Sequence, residues 1–142
     1  MTALEQAKQR LFEGGFTAVL CRDGVYYTST ARGVLPLVKW VDSGVNFRGF
    51  SAADKVVGKA TAFLYLLLGV SELYADVISE PARAVLSTGG VAVTFGKCVP
   101  YIINRNGDGM CPFEAAVLAI SAPEAAKTAI RQKMREMKIG EK

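Results

Sequence analysis

Two periods, the 3.6-residue repeat of a helix and the two-residue repeat of a strand, organise the apolar positions of this chain. Thr2-Ala3-Leu4-Glu5 has the spacing of a capping box, so a helix is predicted from there to about residue 13, stopped by Gly14-Gly15. Residues 16–22 and 25–29 are short β-rich runs around Asp23-Gly24, a pair suited to a two-residue hairpin turn. Residues 34–41, around Pro36, read as a short helix closed by Asp42-Ser43-Gly44. Ser51 reads as the cap of a long helix over about 52–68. Its start holds Asp54, Lys55, Gly58 and Lys59, and its later turns are nearly all apolar.

The second half alternates strand and helix. Residues 72–78 predict a strand, and Ser79-Glu80-Pro81 opens a helix with a serine cap and a first-turn proline, ended by Gly89-Gly90. Residues 91–95 predict another strand and 98–103 a further extended segment. The Asn104-to-Gly109 loop leads into Cys111-Pro112-Phe113-Glu114, which opens a helix to about residue 120. Ser121-Ala122-Pro123-Glu124 matches a second capping box, for a final basic helix at about 122–139. A hairpin joined to strands that alternate with helices implies an α/β domain with helices on both faces of a mixed sheet, a three-layer α/β/α sandwich.

Length and composition narrow the class. At 142 residues the chain is expected to form one domain over 1–142. It is 51% hydrophobic and 21% charged, well away from the disordered class. The longest uncharged apolar stretch, 60–70, falls short of the roughly 20 residues of a membrane span, so no membrane association is expected. The N-terminus lacks a basic segment leading into an apolar one, so a cytoplasmic location is expected. The three cysteines, Cys21, Cys98 and Cys111, are odd in number and widely spaced, as for reduced thiols. The net charge of +4 is concentrated after Ser121, where a basic helix reads more readily as a solvated face than as a phosphate grip. Nucleic acid is therefore not expected as a partner.

The chain contains no histidine. No familiar zinc-ligand spacing remains, neither a metal nor another cofactor is expected, and any general base must be Lys, Glu, Asp, Tyr or a thiolate. Cys111 has the most suggestive position: a polar loop delivers it to a helix start, where free amides lower a thiol pKa. Lys59 sits near a helix start against the dipole, so something else should favour it there. Gly58 beside it fits a place where backbone or ligand comes close. Glu114 can return a cap hydrogen bond or move a proton beside the thiol. Ser79, Glu80, Asn104 and Arg105 occupy strand-to-helix junctions and loops where ligands of open α/β sheets collect.

Val57-Gly58-Lys59-Ala60, Val77-Ile78-Ser79-Glu80-Pro81-Ala82, and Pro100 to Arg105 followed by Gly109 to Glu114 resemble an uncharacterised bacterial family of unknown function with the cytidine-deaminase-like fold. The resemblance implies a mixed, roughly five-stranded sheet. Zinc deaminases of that fold place a His or Cys before Ala-Glu at one helix start and Pro-Cys-x-x-Cys at another. Here Gly58-Lys59-Ala60 and Cys111-Pro112-Phe113-Glu114 stand in those places, so the metal set is dismantled. By that alignment Lys59 and Cys111 face each other across a pocket between two helix starts.

The resulting expectation is a metal-independent enzyme using Cys111 as nucleophile or sulfur carrier on a small molecule, with Lys59 as electrostatic partner and Glu114 or Glu80 assisting proton transfer. Hydrolytic deamination, amide cleavage and sulfur transfer stay open. The rival is a non-catalytic ligand-binding or protein-interaction module that kept the fold after losing its metal. A homo-oligomer contact on the apolar helices is compatible with either.

Overall fold

The computed structural model describes residues 1–104 and 106–139. The elements in chain order are α1 (Ala3–Glu13), β1 (Ala18–Arg22), β2 (Val25–Ser29), α2 (Leu35–Asp42), β3 (Ser51–Val57), α3 (Lys59–Leu68), β4 (Glu72–Ser79), α4 (Glu80–Thr88), β5 (Ala92–Val99), α5 (Pro112–Val117) and α6 (Pro123–Glu136). One five-stranded sheet has the order β2-β1-β3-β4-β5. β1 runs antiparallel to β2 and β3, and β3, β4 and β5 are parallel. The sheet is therefore mixed and open. No helix among the described residues is long and apolar enough to cross a membrane.

Local chemistry explains several element ends. The Thr2 N–H donates to Glu5 Oε1 at 2.9 Å and the Glu5 N–H to Thr2 Oγ1 at 3.1 Å, which closes the α1 capping box. Asp23 and Gly24 both have positive φ, 50° and 77°, as a tight hairpin turn requires. The Ser79 hydroxyl accepts the Ala82 N–H at 3.2 Å and caps α4. At α6 the expected second capping box does not form: the N-cap is Ala122 and makes no side-chain bond.

The layers are unequal. On one face α1 alone covers the sheet, with Ala7 and Leu11 against Val19, Cys21 and Ala53. The other face carries α2 to α6, and its core runs from Leu37 through Phe63, Leu64 and Tyr65 to Leu86, Val117 and Ile130. α3, with seven of its ten residues buried, is the central helix. That burial on all sides explains why its sequence is apolar without a polar stripe.

The structure corrects the long helix expected over 52–68. Residues Ser51–Val57 form the central strand β3, and the helix starts only at Lys59, after Gly58. Ser51 is no helix cap: it is buried, and its hydroxyl donates to Glu72 Oε2 at 2.7 Å. Ala52 and Ala53 are fully buried on opposite faces, one in each core. A strand sandwiched between helices accepts small residues there whatever their helix propensity. At the far edge, the strand expected at 91–95 runs on to Val99 as one strand, β5, with Cys98 inside it, and residues 100–103 lie beyond its end. The count of five strands holds, with β3 in place of the supposed fifth.

Candidate functional site

The two helix starts singled out in the sequence do meet, and Glu114 joins them. Cys111 is the N-cap of α5 and Glu114 its third residue, while Gly58 is the N-cap of α3 and Lys59 its first residue. The Glu114 carboxylate is buried and accepts two backbone amides, Lys59 N–H at 2.6 Å on Oε2 and Ile102 N–H at 3.1 Å on Oε1. Gly58 can offer no side-chain cap, so a carboxylate 55 residues on from Lys59 supplies the negative group that a helix N-terminus favours. This also explains the glycine. Its φ of −94° is open to any residue, but a Cβ there would lie 2.9 Å from Glu114 Cδ and 3.1 Å from Ile102 Cγ1.

Lys59 completes the exchange. Its ammonium donates to the Leu118 carbonyl at 2.7 Å, at the C-terminal end of α5. α5 thus lends a carboxylate to the start of α3, and α3 lends a cation to the end of α5, each favourable with the dipole it meets. The expected arrangement, with Lys59 facing Cys111, is not what the structure has. Leu118 and Cys111 stand at opposite ends of α5, with its six residues between them, which sets them roughly 10 Å apart along the helix. The Lys59 side chain is drawn to the carbonyl because the free acceptors of a helix lie at its C-terminus.

The other expected site residues are spread over three places. Ser79 is fully buried by its capping role. Glu80 lies on the surface of α4, where it accepts the Cys98 thiol at 3.1 Å and pairs with Arg83 at 3.9 Å. Asn104 folds the loop back on itself, with its side-chain amide on Asp108 at 2.8 Å and its N–H on the Gly109 carbonyl at 2.8 Å. Arg105 lies outside the described residues. Cys111 is half-buried against the larger core and its side chain makes no cap bond. Desolvation pushes the Cys21 thiol up, and desolvation followed by the Glu80 hydrogen bond does the same for Cys98. Among the described residues no three His, Cys, Asp or Glu side chains gather where a metal ion would sit.

Beside the two-helix junction lies a feature the sequence reading missed. An open groove of about 440 Å³ is lined by Val56, Val77 and Val99 from the carboxyl ends of β3, β4 and β5, and by the segment Pro100 to Ile103. Val56, Tyr101 and Ile103 leave 46%, 45% and 57% of their surface to solvent, more than apolar side chains with a core to join would. The wall of the groove is fixed. Ile102 is held at both backbone atoms, its N–H by Glu114 and its carbonyl by the Cys111 N–H at 2.9 Å.

The groove depends on a shared step in three strands. Asp54 and Val57, three apart, both face the α3 side, as do Ala75 and Ile78 on β4. On β5, Phe95 and Cys98 both face Arg83 of α4. Regular strands would put residues three apart on opposite faces. The ladder accordingly passes from Asp54–Ala75 to Val56–Val77 without pairing Lys55 to Asp76, and Gly96 sits level with the break on β5. A Cβ on Gly96 would come within 2.9 Å of the Asp76 carbonyl. Beyond this step Val56 and Val77 are turned away from α3, into the groove.

Asp54 sits at the step. It is buried, its Oδ2 accepts the Tyr65 hydroxyl at 2.6 Å, and its Oδ1 accepts the Val56 N–H at 3.2 Å. Burial is the main cause that raises its pKa to about 7, against the lowering effect of those two hydrogen bonds. Tyr65 is pushed well up, by burial first and by Asp54 next. A helix over 52–68 would have put Asp54 in its first turn; in β3 it is an interior acid.

The basic helix α6, packed on α3 and α5, spends much of its charge locally. Lys127 pairs with Glu124 at 3.2 Å, Lys133 with Glu136 at 3.1 Å, and Arg131 with Asp42 of α2.

No curated protein matches the chain. Among solved structures it is similar to the crystal structure of a DUF1893 family protein (TM1506) from Thermotoga maritima, with 27% identity over 94% of this chain and 91% of that one and a TM-score of 0.85. The family model described as TM1506, Domain of unknown function (DUF1893), matches residues 6–134. The chain belongs to the DUF1893 family.

Proposed function

We propose that this chain is a ligand-binding domain of cytidine-deaminase-like architecture, and that its site is the apolar groove at the carboxyl ends of β3, β4 and β5. The observation that carries the reading is the groove itself. Its volume falls in the range of pockets that take small organic molecules, and its place outside the strand ends is where open α/β sheets hold ligands. The lining is apolar with a half-exposed tyrosine ring, which selects a small, flat, largely apolar compound. The deaminase-like assignment is supported by the two helix starts, Gly58-Lys59 and Cys111-Pro112, which adjoin through Glu114.

The neighbouring polar groups favour binding over catalysis. Both Glu114 oxygens are occupied by backbone amides and the Lys59 ammonium by a carbonyl, so neither is free to move a proton or steady an anion without giving up a structural bond. One observation favours thiol chemistry instead: the Cys111 sulfur, at a helix start, is not engaged as a cap. A metal-independent enzyme built on that nucleophile is therefore the second reading.

Two measurements separate them. Titration with 1-anilinonaphthalene-8-sulfonate should give saturable fluorescence that Val77→Lys abolishes without unfolding the protein, because a lysine there puts a charge into the groove. Iodoacetamide labelling near neutral pH should then modify Cys111 no faster than a free thiol. Rapid modification of Cys111 alone, with dye binding untouched by Val77→Lys, would overturn the binding reading in favour of the thiol enzyme.

A further inference from the structure

We propose that Asp54 is a proton-operated brace of the groove: the state of its carboxyl group sets how firmly the stepped part of β3 holds Val56 in the groove wall, and so how well the groove binds. This rests on the groove being the binding site and adds a means of regulation to it.

The geometry gives the two states different bonding. As a carboxylate, Asp54 accepts on both oxygens, from the Tyr65 hydroxyl and the Val56 N–H. The Val56 bond matters for the groove because the sheet ladder is broken at Lys55, and this side chain ties the strand across the break. As a neutral acid, Asp54 must carry a proton on one oxygen. On Oδ1 it would oppose the Val56 N–H, donor against donor. On Oδ2 it would oppose the Tyr65 hydroxyl, which must then turn its own hydrogen toward another acceptor in a closed core. Either way a bond at the step is lost or weakened, while the cost of a buried charge is removed.

The surroundings are sparse in charge, so the step has its own proton equilibrium. Facing Asp54 from α3 is Tyr65, and from β4 comes the repulsion of Asp76, which itself accepts the Tyr74 hydroxyl at 2.7 Å. Its partner on β1 is Ala18, and on its own strand Lys55 contributes a backbone amide. Burial opposed by hydrogen bonding brings the acid to about 7. The chain has no histidine, the side chain that ordinarily titrates there.

The charged state, which holds Val56 by the stronger bond, is the binding state. The dissociation constant of 1-anilinonaphthalene-8-sulfonate should therefore weaken about threefold or more from about pH 8 to about pH 6, and bound dye should lower the Asp54 midpoint by reciprocity. Asp54→Asn, an uncharged counterpart, should bind as the wild type does at the acid end and show no such profile. Carbon-13 NMR of the wild-type Asp54 carboxyl, with the Val56 and Val77 methyl signals followed in the same titration, reads the coupling without ligand or variant. A common midpoint is expected. Methyl signals that stay fixed while Asp54 titrates, or a profile that survives in Asp54→Asn, would overturn the brace. Dye that fails to bind at any pH while the methyls follow Asp54 would instead overturn the groove as the site and leave the coupling standing.

Discussion

Removing the Glu114 carboxyl group is the sharpest test of whether the junction of α3 and α5 is structural. The group is buried and serves two amides, at 2.6 and 3.1 Å, that have no other partner in the helix or sheet ladders. Hydrogen bonds to a charged acceptor contribute roughly 1.5–3 kcal/mol each, so Glu114→Ala puts about 3–6 kcal/mol at risk; relief of the buried charge returns part of that, and about 4 kcal/mol is expected. For a domain of this size that corresponds to a melting temperature lower by roughly 10–15 °C. Glu114→Gln keeps one acceptor but turns an NH2 group toward the second amide. Gly58 and Ile102 press against the side chain, so it cannot swing to avoid the clash, and a loss of about 2 kcal/mol is expected. Urea unfolding gives the free energies, and amide hydrogen exchange at Lys59 and Ile102 locates them: both amides should lose protection in the alanine variant. If Glu114→Ala stays within about 0.5 kcal/mol of wild type, the carboxylate is not holding the two elements together. It would then be available for proton transfer, and the thiol-enzyme reading would regain its assistant.

Two further outcomes follow from the same geometry. Gly58→Ala puts a methyl group 2.9 Å from Glu114 Cδ, an atom that cannot retreat without breaking its bonds, so a loss of about 1–3 kcal/mol is expected by urea unfolding; a neutral result would mean that the two segments are not in contact. For Asp54 the folded pKa, about 7, lies above the ordinary 3.8, so the folded state keeps a proton that the unfolded chain has already lost. The stability it confers is full below about pH 4 and is lost as pH rises through about 7, by at most about 4 kcal/mol. Urea midpoints should accordingly fall with pH in the wild type more steeply than in Asp54→Asn, and parallel curves would refute the raised pKa.

The elements legible in the sequence are those whose signal is local. The Thr2–Glu5 box, the Asp23-Gly24 turn and the Ser79-Glu80-Pro81 start each satisfy backbone groups within a few residues, and each forms as read. β3 could not be read that way. Ser-Ala-Ala-Asp-Lys looks like a helix start because serine caps, alanine propagates and aspartate suits a first turn. What makes it a strand is its place between α1 and the α3–α6 layer, where Ala52 and Ala53 fit against opposite cores and Ser51 finds Glu72 from the next strand. The one internal warning was Gly58, a poor helix residue that in fact marks the boundary.

The site shows the same division between near and distant partners. Lys59 stood out as ill-placed against its own helix dipole; its partner, the Leu118 carbonyl 59 residues on, lies in no local pattern. Glu114 carried two readings at once, a cap or a proton carrier, and the cap it forms belongs to a different helix. The groove left almost no trace in the sequence, because it arises from a step taken at the same level by three strands that are neighbours only in the fold. Gly96 fell between the two segments read at 91–95 and 98–103, so its place inside β5, level with the step, emerges only from the structure. A buried aspartate at that step, in a sheet that gains nothing in packing from a carboxyl group, is the kind of local inconsistency that a fold retains where something other than stability is at work. Its carboxylate holds the Val56 N–H, and Val56 lines the groove, so the inconsistency lies directly behind the groove wall.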